Sequence, residues 1–205
     1  MGAPARSRDR APMANPVVFD EQNARGFRAR FHDELREAWN VSMAVKRLRL
    51  SAIDVSDEDL RRIRTARLVL AQVRAAALDA EAHALMARPD ARRRLEIILR
   101  LMADGRMRVR VAPLGGWSPD FTVFADARGP RSVLLGFHQF ERTHPYPGPT
   151  LGVQFGRRGA LLAHRRFHDI WNRSHDVLPA VQSILARAHR WGGLPEPVDT
   201  LRALG

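Results

Sequence analysis

At Gly105 the hydrophobic period of this chain changes from about four residues to two. Before it, apolar residues recur at helical spacing: Phe27, Phe31, Leu35 and Trp39 within residues 23–40, then Leu60, Ile63, Leu70, Val73, Ala77 and Leu85. After it, residues 106–111 alternate strictly, with Met107, Val109 and Val111 on one side and Arg106, Arg108 and Arg110 on the other. A chain carrying both periods has to bury helix stripes against a sheet. The expected class is therefore α/β, a mixed β-sheet flanked by helices.

Caps and breakers set the expected boundaries. Residues 41–50 begin with alternation at Val41, Met43 and Val45 and read as a first strand. Ser56 followed by Asp57, Glu58 and Asp59 predicts a helix start, a hydroxyl cap with acids at the positive end of the helix dipole. That helix is expected to run to about Met86, before Pro89 breaks it. Asp90 is expected to cap a second helix through Leu95, Ile98, Leu99 and Met102. Strands are expected over 120–125, 131–138 and 150–155, with a turn at 127–130 and a loop at 143–149. A helix over 159–173 carries Ala160, Ala163, Phe167, Ile170 and Trp171 on one face. A last helix, opened by Asp176 and Pro179, turns Val181, Ile184, Leu185 and Ala188 inward. Residues 17–191 are expected to form one domain between a disordered basic tail, 1–16, and a C-terminal tail, 192–205.

The chain of 205 residues has a net charge of +12, and Lys46 is its sole lysine. So positive a balance attracts polyanions, of which nucleic acid is the commonest in a cell, although charge on tails and solvated helix faces serves solubility alone. The absence of cysteine excludes disulfides, thiolate metal sites and cysteine nucleophiles, and fits a cytoplasmic setting. No run approaches the roughly 18 apolar residues that cross a bilayer. No apolar stretch follows the charges of residues 1–16, so neither a membrane association nor a secretory signal is expected. Nothing in the residues calls for a cofactor.

Four segments follow one another in a telling order: FRARFHDELREAWN (27–40), VSMAVKRLRL (41–50), LRLMADGRMRVRVAP (99–113) and RRFHDIWNRSHDV (165–177). Their order and spacing resemble one lobe of the phospholipase D superfamily, over roughly Phe27 to Val177. The family signature, His-x-Lys-x4-Asp, falls on Pro119, Phe121 and Asp126, and Gly136 stands where the family has a glycine on the following strand. In the family the histidine attacks phosphorus and the lysine stabilises charge on the phosphoryl oxygens. Proline and phenylalanine can do neither. The resemblance thus implies a module that binds without catalysing. Because the family builds its site between two lobes, it also implies a homodimer or a partner chain.

Several constellations could supply other chemistry. His138, Glu141, Arg142 and His144 follow a predicted strand and could act as acid, base and anion clamp. Equally, His138 could bond loop backbone while Arg142 pairs with Glu141 or Asp120. His138, His144 and Asp126 are the candidate catalytic residues. His164 and His168 share a helix face at metal-ligand spacing, but Arg165 and Arg166 between them would repel a cation, so a solvated polar face is expected and no metal. His175 and Asp176 read as helix-terminus and cap chemistry.

Arg106, Arg108 and Arg110 recur about 6.5–7 Å apart along a strand, a spacing like that of phosphates along a nucleic-acid strand. With Arg47 and Arg49 on a possible neighbouring strand, and Arg142 beyond, they make the candidate nucleic-acid surface. The alternatives are neutralisation by Glu58, Asp59 or Glu96, or snorkelling from a half-buried sheet. The run Arg92-Arg93-Arg94 reads as solvated. Trp117, Phe140 and Tyr146 could stack on bases or pack locally. Nucleic acid is the favoured partner. The other readings are a protein-interaction subunit of a larger assembly meeting an acidic partner, and a phosphodiesterase using His138 or His144.

Overall fold

The structure, a computed structural model, describes residues 16–19, 24–46, 48, 50, 56–113, 120–136 and 152–191. In chain order its elements are β1 (Val17–Phe19), α1 (Ala24–Glu37), β2 (Asn40–Val45), α2 (Asp57–Arg62), β3 (Thr65–Leu70), α3 (Ala75–Met86), α4 (Pro89–Ala103), β4 (Met107–Val111), β5 (Phe121–Asp126), β6 (Gly129–Leu135), β7 (Gly152–Phe155), α5 (Arg157–Arg173), β8 (His175–Asp176) and α6 (Leu178–Trp191). The strands among these residues form one mixed sheet in the order β1-β7-β6-β5-β2-β3-β4-β8. Neighbours β2, β3 and β4 are parallel, and every other pairing is antiparallel. This is the expected α/β class.

The two sheet faces are covered unequally. One face buries Val41, Val45, Leu68, Leu70, Val109, Phe124 and Leu134 beneath the apolar stripes of α1, α2, α3, α4 and α6. The other buries Val69, Phe121, Val123 and Val133 beneath α5 alone, through Ala160, Phe167, Ile170 and Trp171. Among the described residues α5 is the helix on this face, and the β4 residue Arg108 is exposed beside it.

The helix expected from Ser56 to Met86 is instead α2, β3 and α3. Its start is as expected, with the Ser56 hydroxyl accepting from Asp59 N at 3.1 Å. Its continuation is not: at Ile63 the backbone turns extended, with φ −61° and ψ 120°. Leu68, Val69 and Leu70 are buried on both faces of a parallel strand. Strands buried on both sides read as unbroken apolar runs, and a run flanked by alanines is indistinguishable from a helix stripe by period. Smaller corrections have similar causes. Asp90 does not cap α4; Arg88 holds the cap position, Pro89 opens the first turn, and Asp90 pairs with Arg88 and Arg94. Trp39 lies past the end of α1, 40 % exposed, with the Arg64 guanidinium 3.9 Å above its ring. Strand β2 stops at Val45 and β6 at Leu135, each short of its expected end.

One buried carboxylate ties α1 to the strands beneath it. Glu34 is 1 % exposed and bonds Gln154 Nε2 at 2.8 Å, Arg30 at 2.8 Å, Arg131 at 3.0 Å and the Ser132 hydroxyl. A buried charge is tolerable only with this degree of satisfaction.

Candidate nucleic-acid interface

Strand β4 alternates as expected, and its arginines lie on the face that α5 only partly covers. They are not equivalent. Arg106 precedes the strand and turns back, its guanidinium donating to the Arg61 carbonyl at 2.9 Å and to the Ile63 carbonyl. It satisfies carbonyls at the end of α2, a structural task. Arg110 is half-buried, donates to the Trp171 carbonyl at 2.9 Å, and stacks 4.6 Å from the centroid of that indole. Across the ladder from it stands Asp176, whose carboxylate accepts from Leu178 N at 2.8 Å and so serves the entry to α6. The Arg108 side chain is exposed and makes no hydrogen bond or ion pair among the described residues.

The strands beside β4 are β3 and β8; Arg47 and Arg49 lie outside the described residues. The neighbour that matters is Arg67, in register with Arg108 and facing α5. Its guanidinium lies 5.5 Å from the Phe167 centroid and 5.8 Å from that of Trp171, whose rings stack on each other at 5.7 Å. It is half-buried and, among the described residues, has neither a hydrogen bond nor an ion pair. Burial lowers its pKa below the ordinary arginine value, but an arginine so shifted stays charged. Sequence reasoning missed Arg67 because it missed β3.

The carboxylates weighed as neutralisers of this row are occupied elsewhere. Glu58 pairs with Arg62, Asp59 bonds Ser56, and Glu96 meets Arg92 and His189. The run Arg92-Arg93-Arg94 is itself paired, with Glu96, Asp57 and Asp90. His164 and His168 lie on the inner side of α5, near Arg67, with ring centroids 4.6 Å apart. Among the described residues no group of three or more histidines and acids could hold a metal ion.

Of the signature positions, Phe121 and Asp126 are the two ends of β5. Phe121 is 3 % exposed and packs edge-on against Phe167, with centroids 6.5 Å apart. Asp126 sits at the opposite end of β5, about 17 Å away for a strand of this length, and its carboxylate accepts from Arg128 N at 2.6 Å to close the turn. Pro119, His138, Arg142 and His144 lie outside the described residues, as do Trp117, Phe140 and Tyr146. At the Phe121 end of the hairpin, Asp120 accepts from Lys46 N at 3.0 Å while its carbonyl accepts from Gly136 N at 3.0 Å. Burial pushes the Asp120 carboxyl up to about 6, against the Lys46 contacts that lower it. Gly136 has φ 120°, a conformation that only glycine adopts freely. His175 and Asp176, expected at a helix terminus, form the short edge strand β8, and Asp176 also serves the following turn.

No helix among the described residues is long and apolar enough to cross a membrane. No protein-family model matches the chain, and no curated protein does. Solved structures do resemble it. TrmBL2, an archaeal chromatin protein with a novel mode of DNA binding, superposes with a TM-score of 0.48 at 14% identity, over 82% of this chain and 55% of its own. Nuc, a phospholipase D family member from Salmonella typhimurium, gives 0.47 at 10% identity, over 79% and 97%. The phosphatidylserine synthase of Haemophilus influenzae Rd KW20 gives 0.48 at 12% identity, over 87% and 45%. The chain thus spans about half the length of the first and third. With every score below 0.5, function has to be read from the residues of this chain.

Proposed function

We propose that this chain is a non-catalytic phospholipase D-like module that contacts nucleic acid through the open part of its β3–β4 face. The observation that carries the reading is the pair Arg67 and Arg108. They stand at the same register on adjacent parallel strands, and neither side chain has a hydrogen bond or ion pair among the described residues. Like charges side by side on a sheet destabilise it unless something anionic covers them. A phosphate backbone would cover them, and Arg110 beside Trp171 extends the same surface. The absence of catalysis is supported by Phe121, which stands in the place of the family's lysine and is buried in the core, and by Asp126, whose carboxylate closes a turn. The resemblance to a family that builds its site between two lobes supports a homodimer or a partner chain. A pull-down from native lysate at low salt, repeated after nuclease, tests the reading. Nucleic acid released between low and moderate salt is the expected result, and its absence overturns the reading.

A second reading, a subunit that binds another protein, draws on Leu161 and Leu162, which are 43 % and 62 % exposed near the start of α5. A stoichiometric protein partner that survives nuclease and high salt would establish it.

A further inference from the structure

The inner side of α5 brings two histidines toward Arg67 of β3. His164 and His168, one helical turn apart, are T-shaped to each other with centroids 4.6 Å apart. The Nδ1 of His164 is buried and lacks a hydrogen-bond partner among the described residues. A buried polar atom without a partner is rare in a folded protein and calls for a specific explanation. Arg67 lies over the Phe167 and Trp171 rings on the same side, its guanidinium likewise unbonded among the described residues. Burial is the first cause that lowers the pKa of both imidazoles. For His164 the charges of His168 and then Arg67 add to it; for His168 the charge of Arg67 adds and that of Asp169 partly opposes. Neutral imidazoles each offer an N–H donor.

The surrounding charges favour an anion. From β4 come Arg108 and Arg110, in register with Arg67 and Val69. From α5 come the exposed Arg165 and Arg166, with Asp169 as the nearby acid, and from β8 comes Asp176, engaged with Leu178 N. Three arginines on adjacent strands outweigh what a single carboxylate could balance. They suit a group carrying up to two negative charges and several acceptor oxygens.

We propose that Arg67, His164 and His168 form a binding site for one phosphoryl group. The Arg67 guanidinium and the two imidazole N–H groups supply the donors, and the Phe167–Trp171 stack supplies a flat apolar wall beneath the guanidinium. The site itself follows from these residues alone. That its phosphate belongs to a nucleic acid rests on the function proposed above.

The experiment follows the imidazole nitrogens by NMR in the full chain while inorganic phosphate is titrated, with chloride at matched ionic strength as control. Parallel arms use a short single-stranded oligonucleotide with a 5′-hydroxyl and the same oligonucleotide with a 5′-phosphate. Phosphate is expected to move His164 and His168 together and to raise their apparent pKa values, since an adjacent anion favours the charged imidazole. Arg67→Gln should weaken the phosphate response about tenfold, the loss of one charge-assisted contact. His168→Gln is the second variant, should Arg67→Gln fold poorly. Silence of both histidines toward inorganic phosphate in the unmodified chain overturns the site, whatever the oligonucleotides do. A response to inorganic phosphate but to neither oligonucleotide upholds the site and removes the nucleic-acid reading. A response to the 5′-phosphorylated strand alone among the oligonucleotides assigns the site to a terminal phosphate, and a response to both assigns it to the backbone.

Discussion

Replacing Asp120 with asparagine should stabilise this protein at alkaline pH and leave it nearly unchanged in acid. In the folded chain burial raises the Asp120 carboxyl from 3.8 to about 6. A shift of about two units corresponds to ~3 kcal/mol at 1.36 kcal/mol per unit. The side chain remains partly exposed, and solvent screening reduces the expected effect to about 1–1.5 kcal/mol. The sign follows from the direction of the shift. A group whose folded pKa is raised contributes its stability in full below the unfolded value of 3.8, and loses it as pH rises through about 6. Above that, the wild type folds with a carboxylate held where it is poorly solvated. The asparagine carbonyl can still accept from Lys46 N, which now donates to the carboxylate at 3.0 Å, so the hydrogen bond survives while the charge is gone. Urea unfolding of both proteins from pH 4 to pH 8 measures the difference. Asp120→Asn should gain about 1–1.5 kcal/mol at pH 8 and a few tenths at pH 4, with unchanged m-values. A difference that does not vary with pH, or a loss at pH 8, would refute the desolvation argument.

Other substitutions probe the frame that holds this site. Glu34→Ala removes the buried carboxylate and strands Arg30, Arg131 and Gln154, so chemical denaturation should show a loss of about 3–5 kcal/mol. Gly136→Ala forces a side chain onto φ 120°, and a drop of about 1–3 kcal/mol in the same assay is expected. Arg106→Ala frees the Arg61 and Ile63 carbonyls; it should cost about 1–2 kcal/mol of stability and leave nucleic-acid affinity far less changed than Arg108→Gln does.

The α/β class, the helices α1, α4, α5 and α6, and the strands β4 to β7 were legible because amphipathic periods write one-sided burial into the sequence. Strand β3 was not, since burial on both sides erases the period, and with it went Arg67. The three arginines of β4 looked equivalent by alternation. Only tertiary placement separates Arg106, which bonds the carbonyls of Arg61 and Ile63, and Arg110, which leans on Trp171, from Arg108, whose side chain has no partner among the described residues. His164 and His168 were visible as a pair at helical spacing. That they meet Arg67 depends on which sheet face α5 covers, and period does not specify that. The burial of Asp120 gave no signal, because its partners Lys46 and Gly136 are brought to it by the ends of β2 and β6.

The central claim, that the open β3–β4 face grips a phosphate backbone, is tested most directly by fluorescence anisotropy with a labelled single-stranded oligonucleotide across a range of salt concentrations. For the wild type, log Kobs should fall linearly with log salt, with a slope of about −0.7 for each phosphate contacted. The double variant Arg67→Gln/Arg108→Gln should bind more weakly and lose about 1.4 from the magnitude of that slope, two contacts' worth, while its melting temperature changes little. Wild-type affinity without salt dependence, or a double variant with an unaltered slope, would contradict the account.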